Sequence, residues 1–240
     1  MTIMEKLKSG AEKLGLHLSP KQLEQFEVYY QELVSWNRRM NLTSITDYDA
    51  VQVKHFLDSL TVTLALSTGI SNLRLIDVGT GAGLPGIPLK ILMPDVHLAL
   101  LEATAKKAEF LRHIVSRLGL DDVEIVVGRA EEIAHRAQYR EKFDVVLSRA
   151  VSSLPALVEL TLPFGAVGGI CVAQKKGDID LEIVKASEAI TVLGGSLREV
   201  KKIDLEELAD KRRLIIIDKT SPTPEKYPRQ PGIPNKRPII

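Results

Sequence analysis

Between residues 73 and 193 the chain alternates five times between a short apolar run and a longer amphipathic stretch, a rhythm that few folds accept. The apolar runs Leu73–Val78, His97–Glu102, Val123–Gly128, Asp144–Ser148 and Val167–Gln174 are strand candidates. Residues 86–92, 105–118, 131–137, 153–162 and 178–193 are helix candidates between and after them. Strand and helix in strict alternation predict an α/β unit, in which right-handed crossovers lay helices on both faces of a parallel sheet. Two further runs, Leu197–Ile203 and Arg213–Lys219, flank an acidic loop and predict an antiparallel pair at one edge, for seven mostly parallel strands in all.

The residues before Ser71-Asn72 follow a helical period instead. Ser19-Pro20-Lys21-Gln22 combines a capping residue, proline at the first helical position and the glutamine of a capping box. Leu23, Phe26, Tyr30, Leu33 and Val34 then recur at three- and four-residue spacing, and the helix is predicted to run past Trp36 and break at Asn41. With helices expected near 3–14 and 47–65, residues 1–66 read as a helical N-terminal extension and 67–240 as the sheet-bearing unit, the whole forming one compact body. Apolar stretches are broken within about ten residues, short of the roughly 20 that cross a bilayer. The first sixteen residues also lack the apolar segment of a secretory signal, so a cytoplasmic protein without a membrane partner is expected. The single cysteine, Cys171, falls inside a strand candidate and reads as a packed thiol.

In an open α/β sheet the ligand sits beyond the carboxyl ends of the strands, and the first strand-to-helix turn is its usual cradle. Asp77-Val78-Gly79-Thr80-Gly81-Ala82-Gly83 occupies that position. Gly79, Gly81 and Gly83 permit positive φ and close approach of the backbone to a ligand. Gly81, Gly83 and Gly86 also satisfy the G-x-G-x-x-G dinucleotide pattern, which keeps a nicotinamide or flavin enzyme as a rival. Asp77 favours a different ligand. A carboxylate at the strand end repels a pyrophosphate, whereas S-adenosylmethionine has no phosphate and carries ammonium and sulfonium charges. Glu102, twenty-three residues after Gly79 at the end of the second strand, can accept ribose hydroxyls of either ligand. Gly128-Arg129-Ala130-Glu131 ends the third strand, where a backbone amide and a side chain can read an adenine edge. Glu131 is equally explained as an acid in a helix's first turn.

The chemistry of a methyl acceptor narrows the field further. Attack by pyrimidine C5 normally requires a cysteine nucleophile, and Cys171 is inside a strand. Exocyclic amines are commonly served by an Asn/Asp-Pro-Pro-aromatic turn after the fourth strand, where this chain has Ser148-Arg149-Ala150-Val151. Purine N7 presents an unprotonated lone pair and needs positioning, not a base. Arg149 can fork onto guanine O6 or a phosphate, or serve as a structural ion-pair partner. The five histidines show no metal-ligand spacing and no metal is expected. His55 stands out because it lies one helical turn from Asp58. From Lys211 onward eight Lys and Arg face two acids, although the whole chain carries a net charge of only +1. Such a basic, proline-rich tail suits a phosphate backbone or a solvated end.

These stretches resemble the RsmG family, also called glucose-inhibited division protein B. The resemblance rests on residues 36–43, His55 to Ser59, Asp77 to Pro88, Leu101-Glu102 with Lys106-Lys107, Arg129-Ala130-Glu131, Ser148-Arg149-Ala150 and Tyr227-Pro228-Arg229 with Gly232. It implies a Rossmann-like class I methyltransferase that uses S-adenosylmethionine to methylate N7 of one guanosine in the 530-loop region of 16S ribosomal RNA. The partner is then the RNA or the small ribosomal subunit, with no obligate protein partner. Gly79, Leu84, Glu102, Ala103, Thr104, Ala130, Glu131 and Arg149 look like cofactor contacts, alongside Asp77, Gly81 and Gly83. Arg149 also stands as the positioning residue for methyl transfer, and Asn41, His55, Asp58, Lys175 and Arg229 are the candidate substrate contacts.

Overall fold

The computed structural model describes residues 3–66, 72–149, 152–208 and 211–240. Ser71, Ala150, Val151 and the expected boundary beside residue 67 lie outside the described residues. The chain opens with α1 (Glu5–Lys13), α2 (Pro20–Met40) and α3 (Tyr48–Val51), then a π-helical segment (Gln52–Leu57), α4 (Asp58–Leu60) and a 3-10 segment (Thr61–Ala65). The sheet unit follows as β1 (Arg74–Val78), α5 (Gly86–Leu92), β2 (His97–Glu102), α6 (Ala105–Leu118), β3 (Val123–Val127), α7 (Ala130–Ile133), β4 (Phe143–Arg149) and α8 (Leu154–Thr161). A 3-10 turn (Leu162–Phe164), β5 (Gly165–Lys176), α9 (Asp180–Val192), β6 (Gly195–Ile203), β7 (Arg212–Lys219) and α10 (Ile233–Lys236) complete it.

The capping box of α2 forms as the sequence predicts: Ser19 Oγ accepts from Gln22 N while Gln22 Oε1 accepts from Ser19 N. The segment expected as one helix over 47–65 is instead divided by the π-helical turn. The expected 131–137 helix stops at Ile133, where the following residues turn to meet the C-terminal tail.

Strand order is β3-β2-β1-β4-β5-β7-β6, with β7 antiparallel to both of its neighbours. The expected antiparallel pair does close one side of the sheet, with β7 inside against β5 and β6 outermost. The sequence contains the reason. Leu214–Ile217 is a continuous apolar run that is buried on both faces, as an inner strand requires, whereas β6 carries Arg198, Glu199, Lys201 and Lys202 and tolerates an open edge.

Period-two alternation sends the strands' side chains into two cores. Leu75, Leu98, Leu100, Val145, Leu147, Val172, Leu214 and Ile216 pack with the N-terminal helices, α5 and α6. Ile76, Ala99, Leu101, Val146, Cys171, Ala173, Ile215 and Ile217 pack with α8 and α9. Cys171 is buried beneath the second layer, and desolvation pushes its thiol up to about 11. The N-terminal helices share the first core and also cap the sheet unit's helices. Gln22 Nε2 donates to Ile91 O and Leu92 O at the end of α5, and Gln25 Nε2 donates to Leu118 O at the end of α6.

The tail from Thr220 onward is tied to the α8 side of the sheet. Arg140 donates to Thr223 O and Tyr227 O, and His135 Nε2 meets Pro228 O at 2.8 Å. Arg229 forks onto Glu159, with Nε to Oε1 at 2.9 Å and Nη2 to Oε2 at 2.6 Å, and Glu159 is fully buried. Lys219 is buried as well, donating to Ser221 O, Thr223 Oγ1 and Glu141. Two of the tail's cations are thus engaged in packing. Arg229→Ala strands a buried carboxylate and is expected to cost about 3 kcal/mol, read as a lower urea midpoint with an unchanged slope.

Candidate active site

The carboxyl ends of β1, β2, β3 and β4 converge, and the β1–α5 turn lies over them. Asp77 closes β1 with no exposed surface; its Oδ2 accepts from Thr80 Oγ1 at 2.6 Å and from Gly86 N at 2.9 Å. One carboxylate oxygen therefore staples both ends of the loop. The other, Oδ1, is buried and has no hydrogen-bond partner. Burial outweighs the two donated hydrogen bonds and Arg149's positive charge, and raises the Asp77 pKa to about 6. A side chain at Gly86 would meet Leu100 and Asp77, so the third glycine serves the close packing of α5 on the sheet.

The loop glycines divide by role. Gly81 has φ +62° and a Cβ built there meets nothing within 4 Å, so it borders open space. At Gly83, φ +91°, a Cβ would lie 2.4 Å from Ile87 and 2.9 Å from the Tyr29 hydroxyl. Gly83 and the buried Leu84 belong to the packing behind the loop, while Gly79 is exposed on its outer side. Tyr29 donates from its hydroxyl to Ala82 O, which brings α2 into direct contact with the loop. Tyr29 has no exposed surface, and burial drives its pKa upward.

Glu102 holds the other wall. Its Oε2 accepts from Gly81 N at 3.0 Å and its Oε1 from Thr104 N at 2.8 Å, so both oxygens are aligned by backbone donors and retain further acceptor capacity. Ala103 and Thr104 are exposed beside it. Ala130 begins α7, and the buried Glu131 accepts from Gly232 N at 2.9 Å, linking the third strand's exit to the C-terminal tail.

Arg149 ends β4 with its side chain 15% exposed. Nη1 donates to Asp58 Oδ2 at 3.2 Å and to Lys54 O at 3.4 Å. Asp58 is buried and also faces Arg212 Nε at 3.5 Å, so one carboxylate lies between two guanidinium groups. The neighbouring His55 meets Thr43 Oγ1 at 2.7 Å through Nε2 and the Lys54 carbonyl at 3.1 Å through Nδ1. A carbonyl can only accept, so Nδ1 carries the proton and Nε2 takes the Thr43 hydrogen. Burial, with help from Arg149, lowers the His55 pKa to about 4.

The structure thus brings together Asp77, Gly79, Gly81, Glu102, Ala103, Thr104, Ala130, Glu131 and Arg149 at the carboxyl ends of β1–β4, with His55 and Asp58 adjoining. Lys175 lies at the end of β5, donating to Ser152 O at 2.6 Å and pairing with Glu182 at 2.9 Å. Asn41 is the exposed left-handed cap that ends α2. Arg229 has its guanidinium engaged by the buried Glu159. Sequence reasoning missed Tyr29, Gln174 and Arg212 as site neighbours. Gln174 pairs with Arg149 in register and donates to Asp58 O at 2.6 Å. A strand register is what places it there, and no motif signals that.

A cradle open above Gly81, an unpartnered carboxylate oxygen beneath it and a ribose-type acceptor at Glu102 fit a cationic nucleoside such as S-adenosylmethionine. Among solved structures the chain resembles an O-methyltransferase from Bacillus cereus in complex with SAH (20% identity, 80% of this chain, 91% of that one, TM-score 0.56). It also resembles a SAM-dependent methyltransferase from Aquifex aeolicus (12% identity, 74% and 96%, TM-score 0.53). At these identities the likeness is one of fold. Sequence relatives lie much nearer. A ribosomal RNA small subunit methyltransferase G of Dehalococcoides mccartyi is 52% identical over 237 residues, covering 99% of this chain and 100% of the relative. The protein of the same name from Pelotomaculum thermopropionicum is 46% identical over 239 residues, covering 99% of each. Residues 22–215 match the family model GidB, rRNA small subunit methyltransferase G, and with these relatives the match establishes that the chain belongs to that family.

Proposed function

We propose that the protein methylates N7 of a guanosine in the 530-loop region of 16S ribosomal RNA, acting in the cytoplasm on the RNA or the small subunit. The observation that carries this reading at the level of the site is Arg149, anchored by Asp58 at the end of β4 beside the open loop. When bound, S-adenosylmethionine supplies an electrophilic methyl group on a cationic sulfur. Glu102 holds the ribose side, the Gly79–Gly81 backbone leaves the space, and Asp77 provides negative charge beneath the loop. Among the described residues Arg149 donates only through Nη1, so its other N–H groups are available to guanine O6 or a phosphate. Asp58 fixes the guanidinium in place before the acceptor arrives.

Purine N7 asks for no general base, and the adjoining groups match that demand. His55 is neutral with Nε2 already accepting from Thr43, and Asp58 is paired with two arginines. In the same reading residues 1–66 are a helical extension fused to the cofactor-binding unit 67–240, with α2 bracing the loop through Tyr29.

Incubation with methyl-labelled S-adenosylmethionine and unmodified small-subunit RNA is expected to label the RNA. Binding of a nicotinamide or flavin dinucleotide without label transfer would overturn the reading. Arg149→Ala is expected to lower kcat/KM for RNA about a hundredfold, the loss of a charged hydrogen bond of about 2–3 kcal/mol, while Arg212 still pairs with Asp58 and the fold persists.

A further inference from the structure

Because β7 runs antiparallel, its first residues reach the same sheet edge as the ends of β5 and β6. Register then aligns cations across three strands. Lys175 stands opposite Arg213, and Arg213 opposite Lys202; in the next row Lys176 stands opposite Arg212. Like charges directly opposite one another are unfavourable in a sheet unless something neutralises them. Glu182 does so for Lys175 and Asp58 for Arg212. Among the described residues Lys176, Lys202, Lys211 and Arg213 have no carboxylate within ion-pair distance. The Nε of Arg213 is a buried nitrogen without a hydrogen-bond partner.

Three of these groups, Lys202, Lys211 and Arg213, border a cavity. A cleft of about 330 Å³ is lined by Lys202, Lys211, Arg212 and Arg213, with Asp204 the one acid among the described residues of its wall. Arg212 of the cleft's wall and Arg149 of the site share Asp58, one carboxylate away from each other.

We propose that the cleft between the end of β6 and the start of β7 binds backbone phosphates of the RNA acceptor, anchoring a strand whose target base lies at Arg149. The inference rests on the RNA-methylating reading above and narrows the RNA-contacting part of the basic C-terminal region to the start of β7. Unpaired cations, spaced one strand apart and opening into a cleft, match a polyanion whose charges repeat along a chain. Arg213 supplies a fixed fork, and Lys202 and Lys211 supply mobile point charges.

The test measures binding of the full-length protein to in vitro transcribed small-subunit RNA across 50–200 mM salt, together with transfer kinetics. Lys202→Gln combined with Lys211→Gln changes two exposed side chains and leaves the core untouched. It is expected to flatten the log–log salt slope by about 1.5, at roughly 0.7–0.9 for each phosphate no longer neutralised, and to raise KM for RNA about tenfold. The kcat at saturating RNA and the affinity for S-adenosylmethionine should stay within about twofold of the parent's. Arg213→Gln, made separately because that residue is half-buried, should lower the slope by a further step. Lys142→Gln, an exposed lysine at the opposite end of the strands, is the control for loss of one charge, to be set beside each single variant, and should leave the slope unchanged. An unaltered slope in the double variant, or an equal loss in the control, overturns the cleft even if methyl transfer is normal. A protein that transfers no methyl but loses its salt slope on mutation keeps the cleft and sinks the catalytic reading instead.

Discussion

Gly81→Val is expected to abolish methyl transfer and S-adenosylmethionine binding while the protein stays folded. The residue has φ +62°, where a side chain costs about 1–2 kcal/mol of backbone strain, but nothing in the protein lies within 4 Å of its Cβ. The valine therefore fills open space that the proposed function assigns to the ligand. Gly83→Val should behave differently, because its side chain collides with Ile87 and with the Tyr29 hydroxyl that supports the loop. That variant should lose stability first and activity as a consequence. Calorimetric titration with the cofactor, beside thermal unfolding, separates the two. Normal cofactor affinity in Gly81→Val would place the ligand elsewhere.

Asp77→Asn should separate charge from architecture in a similar way. An amide oxygen can still accept from Thr80 and Gly86, so the loop staple survives. Removing a unit negative charge within about 8 Å of a bound cation costs roughly 2 kcal/mol at an effective dielectric near 20, more than tenfold in affinity. The stability effect has the opposite sign at neutral pH. The folded-state pKa of about 6 lies above the unfolded value near 3.9. Between those values the folded chain holds a proton that the unfolded chain has released, so this contribution is fully present below about pH 4. It is lost as pH rises through 6. The stability of wild type relative to Asp77→Asn should thus fall by up to about 3 kcal/mol between pH 4 and pH 7. His55 works in the other direction, its depressed pKa costing stability as pH falls from 6.5 to 4, but it is common to both proteins and cancels. A flat difference would mean that Asp77 is not desolvated. Improved dinucleotide binding by the variant would favour the oxidoreductase alternative.

The strands and their alternation were legible because each buried run is apolar and bounded by Gly, Pro or charge. The order of the last two was not, since adjacency in the chain does not reveal that Leu214–Ile217 inserts between β5 and β6. That insertion determines where the basic residues go. Along the chain, Lys211-Arg212-Arg213 belongs to a tail; folded, it begins an inner strand and faces Asp58 and the cleft. Arg229, a suggested acceptor contact, pairs with Glu159, an acid seventy residues upstream that no spacing rule connects to it. Gly81 and Gly83 look alike in sequence and differ because Tyr29, on a helix fifty residues earlier, fills the space beside only one of them. Asp77, Glu102 and Arg149 were legible because strand ends in an α/β sheet are where ligand contacts concentrate.

Nucleoside mass analysis of small-subunit RNA after reaction identifies the acceptor atom, proposed above as guanine N7. RNA that lacked the mark beforehand should yield one 7-methylguanosine per molecule with wild type and none with Gly81→Val. A methyl group recovered on another base or on ribose, or no methylated nucleoside at all, would contradict the account.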